Sequence, residues 1–242
     1  MNRRFYRERA LEFSRSRESP WSGWIAILNR AGALLPETPR ILDVGCGNGR
    51  FARFLEERLG RAFVYCGIDE SSLALDEARK RLPARASLVL AEHDFLRSSG
   101  PVPASLSVRT FDFIALFGVL HHVPGRANRL ALLSRLAALL APKGLLAFSL
   151  WRFDQSARLR KKIVPWEEFR ARTGVEIDLS DLEPGDHILT WGGAPAAFRY
   201  CHAVSEEEEG EIARSLPLDR LFHFDGGREP NRYFVFRYPQ RA

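Results

Sequence analysis

The sequence predicts an α/β fold of the Rossmann-like type, with a seven-stranded, mostly parallel sheet, helices on both faces and a C-terminal antiparallel hairpin. Three observations lead to this prediction. Between residues 40 and 151, apolar runs alternate with helical segments, as in parallel sheets that are covered on both faces. A glycine-rich loop follows the first apolar run, and two strand-like runs close the chain.

The expected elements follow one another in a regular order. Parallel strands are expected at residues 41–44, 63–69, 87–94, 111–120 and 144–151. Helices are expected at residues 49–59, 72–82 and 129–140, and the last of these carries a stripe of leucines at helical spacing. A further helix near 205–216 precedes the closing hairpin, whose strands are expected at 221–226 and 232–238.

Capping residues predict where two helices begin. Ser19 is expected to cap a helix that starts at Pro20, because proline is favoured in the first helical position. Ser205 and Glu208 match a capping box. We therefore expect the acidic run at 206–209 to form the solvated face of the helix that follows.

The composition indicates a folded cytoplasmic protein. Of the 242 residues, 45% are hydrophobic and 27% are charged, which is usual for a globular domain. The 3 cysteines are far apart, which argues against a disulfide framework or a structural zinc site and fits a reducing compartment. The charged N-terminus lacks the apolar segment of a secretory signal. No apolar run approaches the ~18 residues of a membrane span, so no membrane partner is expected.

The stretch ILDVGCGNGR (41–50) raises the question of which ligand its loop holds. Glycines between a strand and a helix let the backbone approach a ligand closely. A dinucleotide loop reads G-x-G-x-x-G, whereas the spacing here is G-x-G-x-G and Asp43 stands two residues before the first glycine. That carboxylate would repel a pyrophosphate. It would suit the ammonium and sulfonium groups of S-adenosylmethionine.

Further cofactor contacts are expected where later strands end, because ligands of open α/β sheets bind at the carboxyl ends of the strands. Asp69 is placed to accept from ribose hydroxyls, as it would be in a dinucleotide fold. Asp94 and Phe95 are placed to bind adenine, although an aspartate there is also a common turn former. Cys46 is expected to act mainly as a small space filler. The expected cofactor contacts are Asp43, Gly45, Cys46, Gly47, Asn48, Asp69, Glu70, Asp94, Phe95 and Phe117.

The segment FGVLHHV (117–123) ends the fourth strand beside the expected sulfonium. Its two histidines, His121 and His122, raise the question of a metal site. No third ligand follows at a useful spacing and adjacent side chains point in different directions, so no metal is expected. We expect one histidine to pack under the sheet and the other to reach the transferable methyl group.

Basic residues outnumber acidic residues by 36 to 30, which permits a nucleic-acid partner without requiring one. In the N-terminal region arginines alternate with aromatic residues, and residues 152–162 add a second basic group. These side chains are expected to form either a packed lid with a solvated face or a phosphate-binding patch. They are Arg3, Arg4, Arg7, Arg9, Arg15, Arg17, Arg152, Arg158, Arg160, Lys161 and Lys162.

These features divide a single expected domain into four parts. The parts are an N-terminal helical lid (1–38), a cofactor-binding core (39–151), a substrate-side insertion (152–204) and a C-terminal helix with the hairpin (205–242). The insertion reads as long and irregular. A segment of that length without regular structure is usually functional.

Seven stretches carry a resemblance to a known family. They are FYRERALEFSRSRESPW (5–21), LDVGCGNGR (42–50), FGVLHHVPGRANRLALL (117–133), LLAFSLW (145–151), GDHILTW (185–191), FRYCHAV (198–204) and FDGGREPNRYFVF (224–236). In these stretches the chain resembles the tRNA wobble-uridine carboxymethyl methyltransferases, which are class I methyltransferases. The glycine loop is shared by many methyltransferases, whereas SRSRESPW and RYCHAV are more specific.

The resemblance implies that S-adenosylmethionine methylates a carboxymethyl group on a tRNA uridine to give a methyl ester. It implies that Arg17 and Arg199 hold the carboxylate and that His122 orients it as a hydrogen-bond donor. It implies substrate contacts by Trp21, Trp191, Tyr200 and His202. The implied partners are tRNA and, as in eukaryotic members of the family, a small activator protein.

The chain departs from the pattern of that family at three places, all of which are expected on the substrate side. Cys201 stands where the family has an aromatic residue. The pair at 189–190 is Leu-Thr instead of Val-Pro, and Arg232 takes the place of a tryptophan.

Other functions stay open beside this one. The same core under an aromatic lid would serve a methyltransferase for a small carboxylate or hydroxyl compound. The chain could also be a noncatalytic, cofactor-binding partner subunit. A carboxylate acceptor would need no general base, because a pKa near ~4 leaves it ionised at neutral pH.

Overall fold

The computed structural model describes most of the chain. The described residues are 2, 5, 6, 8, 9, 12, 19–82, 87–98, 100, 102–104, 106, 108, 110–192, 197–227 and 229–239. The strands are β1 (Arg40–Val44), β2 (Val64–Asp69), β3 (Ser87–Glu92), β4 (Phe111–Leu116), β5 (Leu140–Trp151), β6 (Ile163–Val164), β7 (Asp186–Trp191), β8 (Ala197–His202), β9 (Asp219–Asp225) and β10 (Asn231–Arg237).

The helices are α1 (Ser22–Ala31), α2 (Arg50–Leu59), α3 (Ser72–Arg81), α4 (Arg126–Ala137), α5 (Ala157–Arg160), α6 (Trp166–Thr173) and α7 (Glu206–Ser215). Short 3-10 helices occupy Gly32–Leu34, Leu120–His122, Phe153–Gln155 and Leu179–Asp181. Before α1, helical conformation is found at Asn2, Phe5, Tyr6, Glu8, Arg9 and Glu12. Among the described residues, no helix is both long and apolar enough to cross a membrane.

The large sheet has the predicted topology. Its seven strands lie in the order β3-β2-β1-β4-β5-β10-β9. The first five run parallel to one another, and β10 runs antiparallel to both β5 and β9. The fold class predicted from the sequence is therefore confirmed.

Alternation along the strands places two apolar cores on opposite faces of this sheet. Ile41 packs with Trp24 and Phe51 on the face that α1 and α2 cover. Its neighbour Leu42 packs with Leu132 and with side chains of α7 on the other face. Successive side chains of a strand point to opposite faces, so an apolar strand requires a helical layer on each side.

The fourth strand ends earlier than predicted, at Leu116 instead of residue 120. Gly118 has a positive φ of 74° and turns the chain, and its amide donates to the Ser149 hydroxyl. A side chain at this glycine would meet the Trp21 ring. The segment that follows therefore leaves the sheet as a 3-10 helix, which carries both histidines to the carboxyl end of the sheet.

The insertion at 152–204 is not irregular, and that expectation is wrong. It contains a second, antiparallel sheet of three strands in the order β6-β7-β8. Leu189 and Cys201 of this sheet pack on Phe153 in a small core of their own. At two residues, β6 is too short to show an alternating pattern. The strands β7 and β8 are six residues each and were not assigned from the sequence.

Helix α1 begins later than the capping residues predict, and the expected cap at Ser19 is wrong. Trp21 occupies the N-cap position without a side-chain hydrogen bond. Glu229 of the closing hairpin accepts instead from the Ser22 amide at 3.3 Å and from the Ser22 hydroxyl at 2.7 Å. An acceptor distant in sequence thus satisfies the first turn, which local capping rules cannot anticipate.

Helix α7 begins as predicted, but only half of its acidic run, Glu206 and Glu207, forms a solvated face. The Ser205 hydroxyl accepts from the Glu208 amide at 3.2 Å. The carboxylate of Glu208 does not complete the capping box, because it binds Arg129 and His202. Glu208 and Glu209 are only 4% and 9% exposed. Half of the acidic run therefore serves internal ion pairs.

Substituting Gly23 with alanine tests the packing of α1 on the large sheet. A Cβ atom there would overlap the Tyr233 ring, and overpacking of this kind costs about 1–3 kcal/mol of unfolding free energy. The control is Gly32→Ala, where the nearest atom to a new Cβ is 4.0 Å away. Urea denaturation should give a lower midpoint for Gly23→Ala only. Equal midpoints for the two variants would contradict this packing.

Candidate active site

A cavity of about 690 Å³ opens at the carboxyl ends of the parallel strands. All ten predicted cofactor contacts line it, namely Asp43, Gly45, Cys46, Gly47, Asn48, Asp69, Glu70, Asp94, Phe95 and Phe117. Four of the predicted acceptor-side residues line it as well, namely Trp21, His122, Arg199 and Tyr200. The fold therefore joins a donor half and an acceptor half in one cavity, although their contacts with ligands stay predictions.

The glycine loop forms the floor of the donor half. Gly45 and Gly47 have positive φ angles of 74° and 54°, which side chains other than glycine adopt reluctantly. A Cβ atom on Gly45 would collide with Val119, whereas Gly47 has open space beside it. The amide of Gly47 donates to Asp69 at 2.9 Å. The loop thus presents bare backbone to the cavity, as a closely approaching ligand requires.

Two buried carboxylates face this loop. Burial raises the pKa of Asp43 to about 7, even though the Tyr65 hydroxyl donates to it at 2.6 Å. Burial raises the pKa of Asp69 to about 6, although the amides of Ser71 and Gly47 donate to it. Carboxylates that are costly to ionise favour a cationic ligand, because the ligand charge restores their ionised form.

These residues fit S-adenosylmethionine. The carboxylate of Asp43 suits its positive groups, and Asp69 retains lone pairs that can accept from ribose hydroxyls. The open backbone at Gly47 permits close approach.

Arg50 is a candidate cofactor residue that the sequence analysis missed. Its guanidinium lies 5.0 Å from the ring centre of Trp21 and 4.9 Å from that of Trp24. It lines the cavity, and its charge counters the rise in the pKa of Asp43. It would neutralise the carboxylate of the cofactor's methionyl group, which Asp43 would repel. The missed signal is a cation directly after the last loop glycine.

His122 lies in the acceptor half, and its two ring nitrogens have different partners. Nδ1 is 3.0 Å from the Tyr200 carbonyl, which can only accept, and 3.2 Å from the Asn2 amide nitrogen, which can only donate. Nε2 is 2.7 Å from the Tyr6 hydroxyl, which can donate or accept. With the proton on Nδ1, Nε2 accepts from Tyr6. The predicted donor role of His122 requires a proton on Nε2.

Asn2, near the N-terminus, binds the backbone of strand β8 at Tyr200. Its side-chain oxygen accepts from the Tyr200 amide at 2.8 Å, and its side-chain nitrogen donates to the Tyr200 carbonyl at 3.0 Å. This pair of bonds imitates a neighbouring β-strand. Together with Tyr6, Asn2 closes the acceptor half, and no short-range pattern in the sequence signals this contact.

Arg199 supplies a buried cation to the wall of the acceptor half. It is 4% exposed and lines the cavity. Its guanidinium carbon lies 4.8 Å from the ring centre of Trp151 and 5.8 Å from that of Phe5. An arginine that stacks on rings can bind a planar anion through the N–H groups at the edge of its guanidinium plane. The role of Arg199 toward the acceptor stays a prediction.

Three other acceptor-side predictions change. His202 and Trp191 do not line the cavity, so the predicted direct contacts with substrate are not available to them in this arrangement. His202 is 2% exposed, and both of its ring nitrogens face carboxylates. Tyr200 lines the cavity, but its hydroxyl donates to Asp186 at 2.6 Å. Arg17 lies outside the described residues.

The predicted basic patch is smaller than the sequence implies. Arg152 is 7% exposed and pairs with Glu209 at 2.9 Å, so it is not available to a phosphate. Arg158, Arg160 and Lys161 are exposed around α5. Of the six N-terminal arginines predicted for this patch, only Arg9 is described, and it pairs with Glu12 at 2.8 Å. The remaining N-terminal arginines, Arg3, Arg4, Arg7 and Arg15, lie outside the described residues.

The histidine pair does have a third potential metal ligand nearby, so the argument from spacing is wrong. Ligand atoms of His121, His122 and Cys201 lie within 4.8 Å of one another, because β8 returns to this loop. However, Nδ1 of His122 already lies 3.0 Å from the Tyr200 carbonyl and 3.2 Å from the Asn2 amide nitrogen. We therefore assign no metal ion here.

A model of the family described as methyltransferase domain matches residues 14–183, which is most of the chain. The chain belongs to this family. Among solved structures, that of S-adenosylmethionine-bound CalS10, an amino pentose methyltransferase from Micromonospora echinaspora, is similar with a TM-score of 0.60 and 20% identity. The match covers 94% of this chain and 95% of that chain, which confirms the fold. With the fit of the loop, the family membership confirms S-adenosylmethionine as the cofactor.

Two curated relatives differ in the acceptors that their names state. The tRNA (carboxymethyluridine(34)-5-O)-methyltransferase ALKBH8 of Mus musculus is 28% identical over 156 residues, which are 64% of this chain and 20% of that protein. The trans-aconitate 2-methyltransferase of Variovorax paradoxus is 33% identical over 139 residues, which are 55% of this chain and 49% of that protein. The chain thus matches about a fifth of one relative's length and about half of the other's.

The raised pKa values of Asp43 and Asp69 predict that cofactor affinity depends on pH. The pKa of Asp43 is about 7, so its carboxylate becomes protonated as the pH falls below that value. The dissociation constant of S-adenosylmethionine should therefore rise as the pH falls from 8 to 6, by up to about tenfold per pH unit. Asp43→Asn should bind weakly and show a flatter profile. Asp76→Asn, at an exposed position, is the control. Calorimetry that finds a flat wild-type profile would contradict the assignment.

The role of Arg50 predicts a specific loss toward the cofactor carboxylate. Arg50→Met should raise the dissociation constant of S-adenosylmethionine by about 10–100-fold, because a hydrogen bond to a charged group contributes about 1.5–3 kcal/mol. Decarboxylated S-adenosylmethionine should bind wild type and Arg50→Met about equally. Arg58→Met, at an exposed position of the same helix, should bind both ligands like wild type. If Arg50→Met loses affinity for both ligands equally, Arg50 does not contact the carboxylate.

Proposed function

We propose that this chain transfers a methyl group from S-adenosylmethionine to a carboxylate oxygen, and that the acceptor is the carboxymethyl group of a wobble uridine in tRNA. The observation that supports a carboxylate acceptor is the buried guanidinium of Arg199 in the wall of the acceptor half. Arginine binds a carboxylate through two parallel hydrogen bonds. This arrangement would fix the orientation of both carboxylate oxygens.

The relatives support the same chemical group. One relative acts on carboxymethyluridine in tRNA by its name, and the other acts on trans-aconitate, which carries three carboxylates. Their acceptors share the carboxylate and differ greatly in size. For tRNA in particular, the support comes from the seven resembling stretches between residues 5 and 236 and from the exposed cations Arg158, Arg160 and Lys161.

The proposed reaction requires placement more than acid–base chemistry. S-adenosylmethionine supplies an electrophilic methyl group, and an ionised carboxylate accepts it while the sulfur keeps the electron pair of the broken bond. Arg199 would hold the nucleophilic oxygen in line at ~3 Å from the methyl carbon. Trp21, which lies over Gly118, would exclude water together with Tyr6.

A second candidate function has a hydroxyl acceptor. It is favoured by the geometry of His122, whose Nε2 lies 2.7 Å from the Tyr6 hydroxyl and accepts from it when the ring proton is on Nδ1. A substrate hydroxyl in place of that of Tyr6 would meet a base, and a hydroxyl must lose its proton before or during methyl transfer. A carboxylate would make no use of this base.

Methyl transfer from radiolabelled S-adenosylmethionine distinguishes these functions. The acceptors are tRNA whose wobble methyl ester has been saponified to the acid, trans-aconitate and a phenol. A methyl ester releases labelled methanol in mild base, whereas a methyl ether does not. Base-labile label in saponified tRNA, and none in unmodified tRNA, supports the proposal.

Each of the other outcomes assigns another function. Base-labile label in trans-aconitate alone indicates a small-acid methyltransferase, and base-stable label indicates a hydroxyl acceptor. If the protein binds S-adenosylmethionine but transfers no label, the assay is repeated with a candidate activator protein. Continued absence of transfer would then favour the noncatalytic subunit.

Arg199→Gln tests the residue that carries the proposal. Loss of a charged hydrogen bond should lower kcat/KM for saponified tRNA by about 10–100-fold, while the dissociation constant of S-adenosylmethionine stays within about twofold. The control is Arg172→Gln, because Arg172 also stacks on a ring of the small sheet, at 4.8 Å from the centre of Phe198. An equal loss in both variants, or loss of cofactor binding in Arg199→Gln, would contradict the role.

A further inference from the structure

His202 lies buried between two carboxylates. Its Nδ1 is 2.6 Å from an oxygen of Asp186, and its Nε2 is 2.9 Å from an oxygen of Glu208. Burial disfavours ionisation of Asp186 and of Glu208, but hydrogen bonds from His202 and other donors keep the pKa of both below the ordinary value. Ionised carboxylates only accept. Both ring nitrogens therefore donate, and His202 is an imidazolium.

The imidazolium belongs to a larger buried network. Arg129 of α4 is wholly buried and pairs with Glu208 at 2.6 Å and with Glu183 at 2.7 Å. The titratable and charged groups that face His202 are Glu183, Asp186, His187, Tyr200, Glu208 and Arg129. Two cations thus face three carboxylates, which leaves a net charge of −1, and loss of the proton on His202 would increase this to −2.

This network reaches the acceptor half by two routes. On β8, His202 is two residues from Tyr200, whose carbonyl lies 3.0 Å from His122, and three residues from Arg199. On the adjacent loop, Arg129 donates to the Val123 carbonyl at 3.0 Å, next to His122 in the chain. Strand β8 and the histidine loop are therefore fastened to the same cluster.

We infer that His202 is a positioning residue, whose protonated ring holds Arg199 and His122 at their places in the acceptor half. The inference rests on the proposed function for its kinetic consequence. It differs from the direct substrate contact expected of His202, because the ring never touches the acceptor. Loss of the proton would leave one carboxylate against a ring lone pair, and unpaired buried charges are strongly destabilising.

The direction of the pH effect follows from the hydrogen bonds. Burial lowers the pKa of His202, but the bonds to Asp186 and Glu208 outweigh it and raise the pKa above 6.5. A raised histidine pKa contributes stability that is complete below the unfolded value and is lost as the pH rises through the folded value. The acceptor half should therefore loosen on the alkaline side, whereas the donor half should not.

Nuclear magnetic resonance of the whole chain with bound S-adenosylmethionine tests this without any acceptor. The ring nitrogen-15 shifts of His202 report its protonation between pH 6 and 10, assigned with His202→Gln. The Nε–H resonance of Arg199 reports its stacking, because the Trp151 ring lies 4.8 Å away and shifts it. We expect an imidazolium at pH 7 and loss of the Arg199 ring-current shift as His202 deprotonates.

Kinetics with saponified tRNA supply the second readout. KM for tRNA should rise by about tenfold at the pH where His202 titrates, while the dissociation constant of S-adenosylmethionine does not follow that titration. Glu208→Gln removes one carboxylate and should move both titrations to lower pH. Glu207→Gln on the same helix, where the side chain is 82% exposed, should match wild type.

The outcomes separate this inference from the proposed function. A neutral His202 at pH 7 overturns the inference, and so does a His202 titration that the Arg199 resonance does not follow. A KM raised equally at every pH in Glu208→Gln would indicate a merely structural role. If no tRNA is methylated but the two resonances titrate together, the proposed acceptor fails and the positioning of Arg199 stands. The wild-type titration decides the inference even if a variant does not fold.

Discussion

The acceptor half depends on the ion pairs and hydrogen bond made by the buried guanidinium of Arg129. This guanidinium joins α4 of the core to the Val123 carbonyl, to Glu183 before β7 and to Glu208 of α7. These partners lie in segments that the sequence separates widely. A wholly buried cation must be paired, so the segments cannot move apart independently. The small sheet is thereby held against the edge of the large sheet where the cavity opens.

The two halves of the cavity are built in different ways. The donor half is made by short-range structure, because Asp43, Gly45 and Gly47 lie on one strand and the loop that follows it. The acceptor half is made by long-range contacts, since β8 carries Arg199 and brings the Tyr200 carbonyl to His122. Donor chemistry is thus fixed by a motif, and acceptor chemistry by how the insertion docks on the core.

This difference explains what the sequence could predict. The sheet topology followed from the alternation of strand and helix signals. All ten donor-side residues followed from the glycine loop and the expected strand ends, and the structure gathers these residues in one cavity. Glu208 was misread because a capping box is a local pattern, whereas its carboxylate serves Arg129 and His202. His202 and Trp191 were misplaced because a motif gives the position of a residue but not the side to which its side chain points.

The three departures from the resembled family do not weigh equally. Leu189 is wholly buried in the core of the small sheet, and Arg232 pairs with Glu209 and Asp225, so neither faces the acceptor. Their expected place on the substrate side is therefore wrong. Cys201 alone reaches the acceptor half, where its sulfur lies 3.9 Å from Nδ1 of His122. A thiol in place of an aromatic ring there removes bulk beside His122 and leaves the Arg199 cation in position. Among these three departures, only Cys201 bears on the shape of the acceptor half, and none of them removes Arg199.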